Sequence, residues 1–180
     1  MAKQVGNAYG TALFEAAREE GRLSAIREES ETILSVFSEQ PDFLRLLCHP
    51  EILLKEKEGL LHEVFGGTAD PLITGIIELL LEKERGTDIP KVLEAFVQKA
   101  LEEEKIGVAS VTSPMELSEA DKDRIRQKLL DTTDYETMRV TWSVDPGLIG
   151  GLVIRLGDRV VDSSLQTKLH KMKNDLLQGA

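Results

Sequence analysis

The sequence predicts an α-helical bundle of six helices in residues 1–105, followed by a small α+β domain in residues 106–180. The spacing of apolar residues leads to this prediction: they recur about every 3.6 positions up to residue 105 and about every second position after it. A length of 180 residues also suits one or two domains with buried cores. The change of spacing, beside the acidic stretch 102–105, therefore marks the domain boundary.

Glycine and proline residues divide the first half into helical segments. Gly21 is a good terminator for the first helix, and Pro41 stops the second. Pro50 stops a short third segment, and the pair Gly66-Gly67 closes the fourth. These four segments are 5–21, 23–40, 42–48 and 52–64.

The fifth helix has the clearest start in the chain. Asp70 can cap it with a carboxylate, and Pro71 has the backbone angle of a first helical position. Behind this start, apolar side chains cover nearly the whole circumference, which implies burial on most sides or a face reserved for a partner. These residues are Leu72, Ile73, Ile76, Ile77, Leu79, Leu80 and Leu81. A sixth helix then opens around Pro90.

The second half begins as a βα unit. Residues 106–112 have strand composition, and Ser118 with Asp121 forms a capping box for a helix that runs to about residue 130. Residues 137–144 alternate between apolar and polar side chains, which predicts a half-buried strand. The apolar members of this strand are Met138, Val140, Trp142 and Val144.

Two further strands and a terminal helix complete the second domain. Strands 152–156 and 159–161 flank a two-residue turn led by Gly157, which suits a type II′ hairpin. Ser163 and Gln166 form a second capping box. The helix behind it has one apolar stripe, which consists of Leu165, Leu169, Met172 and Leu176. We therefore expect a short mixed sheet that is covered by helices.

The charge of the chain excludes several classes of partner. Acidic residues number 32 against 22 basic ones, which gives a net charge of −10 and a pI of about 4.9. Such an acidic surface repels phosphate backbones and anionic headgroups, so we expect no nucleic acid partner. The longest apolar run, residues 71–81, is about half the length of a bilayer-spanning helix. Membrane association must therefore come through a partner.

The sequence contains no group of residues with the pattern of a catalytic or metal site. Cys48 and His49 diverge by about 100° on a helix, and His62 and His170 lie on other segments. The cysteine ends an apolar run and is better explained as a small buried side chain than as a nucleophile. The glycines at 147, 150 and 151 lead into a strand, unlike a phosphate-binding loop. We expect no catalytic residue, metal, cofactor or small-molecule substrate.

The apolar surface of the helical half has two explanations. Small residues of the first helix are interleaved with large ones, and such a surface can form a groove for a guest helix. Alternatively, these residues and those of the fifth helix all belong to the core. The residues of the first helix are Ala8, Tyr9, Ala12, Leu13, Phe14, Ala16 and Ala17.

Several stretches, spread in order over essentially the entire chain, form a recognisable series. They are 9–17, 43–50, 79–83, 145–154 and 157–165. The most specific part is Leu148-Ile149-Gly150-Gly151, followed by Gly-Asp and then by Asp-Ser-Ser. This series resembles the δ subunit of F-type ATP synthases, a family that includes the mitochondrial oligomycin-sensitivity-conferring protein. Gly10 departs from the alanine expected after the first-helix tyrosine, and Gly86-Thr87 departs from an arginine-rich continuation.

The resemblance implies a non-catalytic stator subunit. In this family a six-helix N-terminal domain grips the N-terminal segments of the α subunits on the catalytic α/β hexamer. The C-terminal module meets the ends of the peripheral-stalk b subunits, so that the hexamer does not turn with the rotor. The analogy also implies a groove between the first and fifth helices for an α-subunit helix. The residues expected near that groove are Tyr9, Leu13, Ile73, Ile76, Ile77 and Leu80.

The expected location is the cytoplasmic side of a bacterial plasma membrane, where the chain is held only through the complex, and a processed plastid form is the alternative. The first four residues lack the apolar core of an export signal, and the single cysteine fits a reducing compartment. Two other hypotheses stay open at this point. One is a helix-groove adaptor subunit of another multiprotein complex, and the other is a small enzyme with carboxylate chemistry.

Overall fold

The chain forms two compact units, Met1–Glu104 and Lys105–Ala180. Our computed structural model describes residues 2–65, 69–157, 159–165, 167–170 and 172, with side chains described from residue 6 onwards. The division between the units lies one residue before the position at which the apolar spacing changes. Each unit is therefore described by itself below.

The described part of the first unit contains six α-helices. They are α1 (Ala2–Glu19), α2 (Leu23–Glu39), α3 (Pro41–Leu47), α4 (Leu54–Phe65), α5 (Pro71–Glu82) and α6 (Ile89–Glu103). A 3₁₀ turn, Gly86–Asp88, leads from α5 into α6. The helical starts and stops expected from proline and from Gly21 fall within a few residues of these bounds, and the stop expected at Gly66-Gly67 lies outside the described residues.

Two helices of the first unit end with the same pattern of backbone hydrogen bonds. After α1, the N–H groups of Gly21 and Arg22 donate to the carbonyls of Arg18 and Ala17, each at 3.1 Å. Gly21 has a φ of 67°, which completes a Schellman motif and confirms it as the terminator. After α5, Glu84 takes the equivalent place with a φ of 56°. The sequence does not mark this second motif, because a glutamate seldom adopts a positive φ.

Asp70 caps α5 as predicted and also joins it to α2 and to the turn between α1 and α2. Its carboxylate accepts the N–H of Leu72 at 3.0 Å and pairs with the guanidinium of Arg22, just after α1. The N–H of Asp70 donates to the Glu29 carboxylate of α2 at 2.8 Å. These bonds hold the start of α5 beside the end of α1. The 3₁₀ turn after α5 also contacts α1, so α1 and α5 are antiparallel neighbours.

Two glycines allow α1 to lie close against α6. A Cβ on residue 10 would lie 2.9 Å from the Val92 carbonyl oxygen and 3.0 Å from the Ala95 Cβ. A Cβ on Gly6 would lie 3.3 Å from the Lys91 carbonyl oxygen. Contacts this short leave no room for an alanine at residue 10 unless the helices move apart. The close approach fits the glycine that stands at residue 10 in place of the alanine expected in the family.

Buried apolar side chains from all six helices form the core of the first unit. Two charged residues in the described part of this unit, Arg27 and Asp70, are also buried. Arg27 is 3% exposed and donates to the Glu104 carboxylate at 2.6 Å. Arg27 also contacts the carboxylate of Glu31, one turn further along α2, at 3.3 Å. The pair between Arg27 and Glu104 fixes α2 against the C-terminal end of α6. Because a buried cation needs such partners, the pair is part of the core rather than of the surface.

The second unit is a four-stranded mixed sheet with a helical crossover. Its elements are β1 (Ile106–Ser113), α7 (Glu119–Thr132), β2 (Thr137–Val144), β3 (Val153–Leu156) and β4 (Arg159–Asp162). The strand order is β2-β1-β3-β4, with β1 parallel to β2 and antiparallel to β3. The predicted βα unit is confirmed, and β3 and β4 form the predicted hairpin with Leu156 opposite Arg159. Gly157 has a positive φ of 54°.

The burial of β2 decreases along the strand. Met138 is buried, Val140 and Trp142 are half-buried, and Val144 is 54% exposed. The apolar face of β2 is therefore the predicted one. The residues that pack over this face do not extend as far as Val144. On the neighbouring strand, Val111 lies opposite Trp142 and is fully buried.

The cap of the terminal helix is one residue later than predicted. Thr167 donates its N–H to the Ser164 Oγ at 3.2 Å, and its hydroxyl donates to Asp162 at 2.7 Å. Asp162 also accepts the N–H of Ser164 at 2.8 Å. Ser164, not Ser163, is thus the cap, because Asp162 fixes the preceding turn. Residues 165, 167–170 and 172 are helical, and Gln166 and Leu176 of the prediction lie outside the described residues.

Candidate helix-binding groove

Helix α5 has two apolar stripes, each with spacings of four and then three residues. The first contains Ile73, Ile77 and Leu80, which are fully buried in the core. The second contains Leu72, Ile76 and Leu79, of which Leu79 is 36% exposed and the other two are half-buried. One residue of offset rotates the second stripe by about 100° from the first. An apolar face of α5 is therefore left at the surface.

The exposed stripe of α5 faces towards α1. On its other flank, Glu78 lies 3.7 Å from His62, which belongs to α4. By helical geometry Leu72, Ile76 and Leu79 lie on the opposite flank, and α1 contacts α5 more extensively than α4 does. Gly75 lies next to this stripe, and a Cβ there would meet no atom within 4 Å. The surface beside Gly75 is therefore open.

Helix α1 contributes small residues to the same surface. Its buried face, with Leu13 and Ala17, points to the core, and Thr11 points to a cleft against α6. Tyr9 and Ala16 are half-buried on the flank away from that cleft, and Ala12 next to them is exposed. We call this surface the α1–α5 groove. It consists of Tyr9, Ala12 and Ala16 from α1 and Leu72, Ile76 and Leu79 from α5.

Most of the residues expected near the groove are buried in the structure. Leu13, Ile73, Ile77 and Leu80 are at most 3% exposed, so they form the floor beneath the groove and cannot touch a guest while the core is closed. Tyr9 and Ile76 lie at the surface. Sequence reasoning missed Leu72 and Leu79, although their spacing to Ile76 could have indicated a second stripe. That Tyr9 and Ile76 contact a guest helix stays a prediction.

A family model described as the ATP synthase delta (OSCP) subunit matches residues 5–176. The chain belongs to this family. An ATP synthase subunit delta of Lachnoclostridium phytofermentans is 40% identical over 178 residues, which covers 99% of this chain and 98% of the relative. One from Halalkalibacterium halodurans is 34% identical over 175 residues, 97% of this chain and 96% of the relative. This chain is thus a delta-type subunit of an ATP synthase, of the peripheral-stalk type.

A solved structure supports the fold of this delta-family chain. A chain of the mitochondrial ATP synthase hexamer of Toxoplasma gondii aligns with a TM-score of 0.78 and 21% identity. The alignment covers 96% of this chain and 97% of that one. At this identity the comparison supports the fold alone.

The net negative charge of this delta-family chain lies in its helical unit. Lys105–Ala180 contains equal numbers of acidic and basic residues, so the first unit carries the whole net charge of −10. The outward side of α1 next to the groove carries Glu15 and Glu19, which are both exposed. A guest that binds this unit therefore approaches an acidic surface with an apolar floor.

A second cavity of the helical unit surrounds Cys48. It has a volume of about 370 Å³ and is lined by Leu47, Ile52, Leu81 and Lys57, among others. Within the described ranges, no three histidine, cysteine or acidic side chains come together as metal ligands. In the same part of the chain, no helix is both long and apolar enough to span a bilayer.

We predict that Cys48 reacts slowly as a nucleophile. Burial raises the pKa of its thiol above the ordinary value of 9.0, although nearby Lys57 opposes this shift. The protonated thiol therefore stabilises the fold below pH 9, and this contribution is lost as the pH rises through the folded pKa. Alkylation by iodoacetamide, followed from pH 7 to 10, should be slower in the folded chain than in urea at every pH. Equal rates in the two states would contradict the shift.

Proposed function

We propose that this chain is the non-catalytic stator subunit that links the α/β hexamer of an F-type ATP synthase to its peripheral stalk. The helical unit, a six-helix bundle, binds the N-terminal helical segment of an α subunit in the α1–α5 groove. The α+β unit, residues 106–180, binds the C-terminal ends of the b subunits. Held at both ends, the subunit resists rotor torque during proton-driven ATP synthesis.

The observation that supports the α-subunit site is the exposed second stripe of α5. Leu72, Ile76 and Leu79 repeat at helical spacing, and the small side chains of Ala12 and Ala16 lie across from them. Small residues beside large apolar ones leave room for the backbone of a guest helix, which then buries its own apolar face. Such burial suits a joint that must dissociate slowly, because exposed ion pairs contribute less than about 1 kcal/mol each.

The proposed location is the cytoplasmic side of a bacterial plasma membrane, with the membrane reached only through the complex. The bacterial sources of the relatives support this location. We also propose that the chain has no active site, cofactor or small-molecule substrate of its own. Incubation of the purified chain with ATP, followed by phosphate release, tests this point. Turnover by the isolated chain would instead favour the enzyme hypothesis.

We predict that Ile76→Asp weakens binding of an α-subunit N-terminal peptide by about 30-fold or more, because a buried carboxylate would face an apolar guest. Calorimetry with the full chain measures the affinity, and far-UV circular dichroism checks the fold. Val64→Asp is the matched control, since Val64 is a 49% exposed β-branched residue of α4, outside the groove. It should leave the affinity unchanged.

A second variant keeps this test valid if Ile76→Asp unfolds the helical unit. Ala12 is exposed, so Ala12→Gln adds a longer side chain to the groove without disturbing the core. The longer side chain should occupy the space of the guest and reduce its affinity. A folded Ala12→Gln chain with parental affinity would show that the guest binds elsewhere.

Co-purification with an unrelated complex, without α, β and b chains, would favour the adaptor hypothesis.

A further inference from the structure

The two walls of the α1–α5 groove carry different charges. On α1, the exposed residues beside the groove repeat at steps of four, three and four positions, so they form one row along the helix. This row consists of Ala8, Ala12, Glu15 and Glu19. On α5, the second stripe continues one turn beyond Leu79 to Lys83, whose side chain is exposed. One wall is therefore acidic in its second half, and the other ends in a cation.

The two glutamates and the lysine lie at opposite ends of the groove. Helices α1 and α5 are antiparallel, because Asp70 holds the start of α5 beside Arg22, which follows α1. Glu15 and Glu19, in the last turns of α1, are therefore level with the first turns of α5. Lys83 lies about 20 Å from Asp70 along the helix axis, level with the first half of α1.

The other charged residues near the acidic end already have partners or point elsewhere. Arg22 lies 3.3 Å from the Glu20 carboxylate and also pairs with Asp70. Arg18 lies two turns after Thr11 on α1, so it points to the same side as Thr11, towards the cleft against α6. Glu15 and Glu19 therefore determine the charge of the α1 wall at this end.

The charged residues near the basic end are divided between two sides of α5. Glu82 and Glu84 line the second cavity of the helical unit, so they do not border the groove. Arg85 follows in the turn after α5, is exposed and has the same sign of charge as Lys83. The described side chains at this end of the groove therefore carry positive charge.

The three charges beside the groove lack partners, unlike many other surface charges of this chain. Lys122 pairs with Glu119 at 2.7 Å, three positions away on the same helix. Within the described ranges, Glu15, Glu19 and Lys83 take part in no such pair. They are therefore available to pair with a bound helix.

We propose that Glu15, Glu19 and Lys83 fix the direction in which the α-subunit helix lies in the groove. An apolar stripe fits a helix in either direction, whereas charge pairs are lost or become repulsive when the helix is reversed. Helices are stabilised by acidic residues near the N-terminus and by basic residues near the C-terminus. A guest with this distribution places its C-terminal half beside the two glutamates and its N-terminal half beside the lysine.

The guest helix therefore runs parallel to α1 and antiparallel to α5. This inference rests on the proposed function and adds a direction and a charge pattern to its α-subunit contact. The α-subunit N-terminal segment should carry basic residues in the second half of its helix and acidic residues in the first. A segment without basic residues in the second half would contradict the inference before any measurement.

The direction is measured with the full chain and a synthetic N-terminal peptide of the α subunit from the same organism. A nitroxide label at the N-terminal end of the bound peptide should broaden the amide NMR signals of Tyr9 and Lys83. A label at the C-terminal end should instead broaden those of Glu19 and Leu72. The reverse pattern, or equal broadening at both ends of the groove, would overturn the inference.

Charge reversal tests the residues themselves by calorimetry with the same peptide. Glu15→Lys combined with Glu19→Lys should weaken binding about tenfold at about 50 mM salt and less than about twofold at about 0.5 M, because salt screens exposed charges. Lys83→Glu should weaken binding about threefold at the lower salt concentration. A peptide whose basic residues are replaced by glutamate should bind the double variant better than it binds the parent chain.

Glu63→Lys combined with Glu103→Lys is the matched control, because both glutamates are exposed, lie outside the groove and give the same change of net charge. It should change the affinity less than about twofold. If the control and the Glu15 and Glu19 variant lose affinity equally, position has no role and the inference is wrong, while the proposed function stands. If the parent chain does not bind the peptide at all, the proposed function itself fails.

Discussion

Gly151→Ala is expected to unfold the second unit while the helical unit stays folded. The new Cβ would lie 2.3 Å from the carbonyl oxygen of Ser163, a backbone atom that cannot swing aside. That backbone is held in place because Ser163 donates its N–H to Leu152 at 2.9 Å. The φ of 82° is also unfavourable for alanine. Together the two effects should destabilise the unit by more than about 3 kcal/mol, a large part of the stability of a domain this small.

The chain contains its own probe for this measurement. Trp142 is the single tryptophan and lies on β2, so its fluorescence during urea unfolding reports on the second unit alone. Far-UV circular dichroism reports mainly on the helices of the first unit. Gly157→Ala is the matched control: its φ is 54°, but a Cβ there meets no atom within 4 Å, so it should cost about 1 kcal/mol. If Gly151→Ala and Gly157→Ala lower the unfolding free energy of the second unit equally, the clash at residue 151 is contradicted.

Gly10→Ala should destabilise the helical unit by about 2–3 kcal/mol, although alanine is the better helix former. The Cβ would meet the Val92 carbonyl oxygen at 2.9 Å and the Phe96 backbone nitrogen at 3.1 Å. Because these atoms belong to the α6 backbone, the relief of the clash requires the two helices to separate. The unfolding midpoint followed by circular dichroism should fall, because this signal reports on the helices. The midpoint followed by Trp142 fluorescence should stay the same.

Gly59→Ala is the control for this variant. Gly59 lies within α4, and a Cβ there meets no atom within 4 Å. The substitution should therefore stabilise the helical unit by up to about 1 kcal/mol through helix propensity alone. If Gly10→Ala lowers the unfolding free energy of the helical unit and Gly59→Ala raises it, the close packing of α1 on α6 is established. A stabilised Gly10→Ala chain would show that the two helices have room to spare.

Local signals predicted the positions of the helices and strands well. Asp70 and Pro71 indicated the start of α5, Gly21 the end of α1, and the turn led by Gly157 the last hairpin. Each of these depends on the backbone chemistry of one or two adjacent residues. Such chemistry acts the same way whatever the rest of the fold does.

Features that depend on distant residues could not be predicted in this way. Ile76 and Ile77 are chemically identical, and only the directions of neighbouring helices decide which of them is buried. The cap at Ser164 depends on the carboxylate of Asp162, which competes with the capping box read from Ser163. The need for glycine at residue 10 comes from the backbone of α6, and no local pattern shows it. Four of the six residues expected near the groove are therefore buried in the core, and a guest helix between α1 and α5 stays a prediction.

The bonds at Asp70 bear on how a groove of this kind carries load. Apolar contacts are short-ranged and yield to sideways displacement, whereas hydrogen bonds and ion pairs are directional and stiff. Asp70 connects α5 to Arg22, the residue directly before α2, and to Glu29 within α2. A pull on a helix that is bound against α5 is thus transmitted to α2 as well as to α5. The start of α5 and helix α2 therefore resist such a pull together.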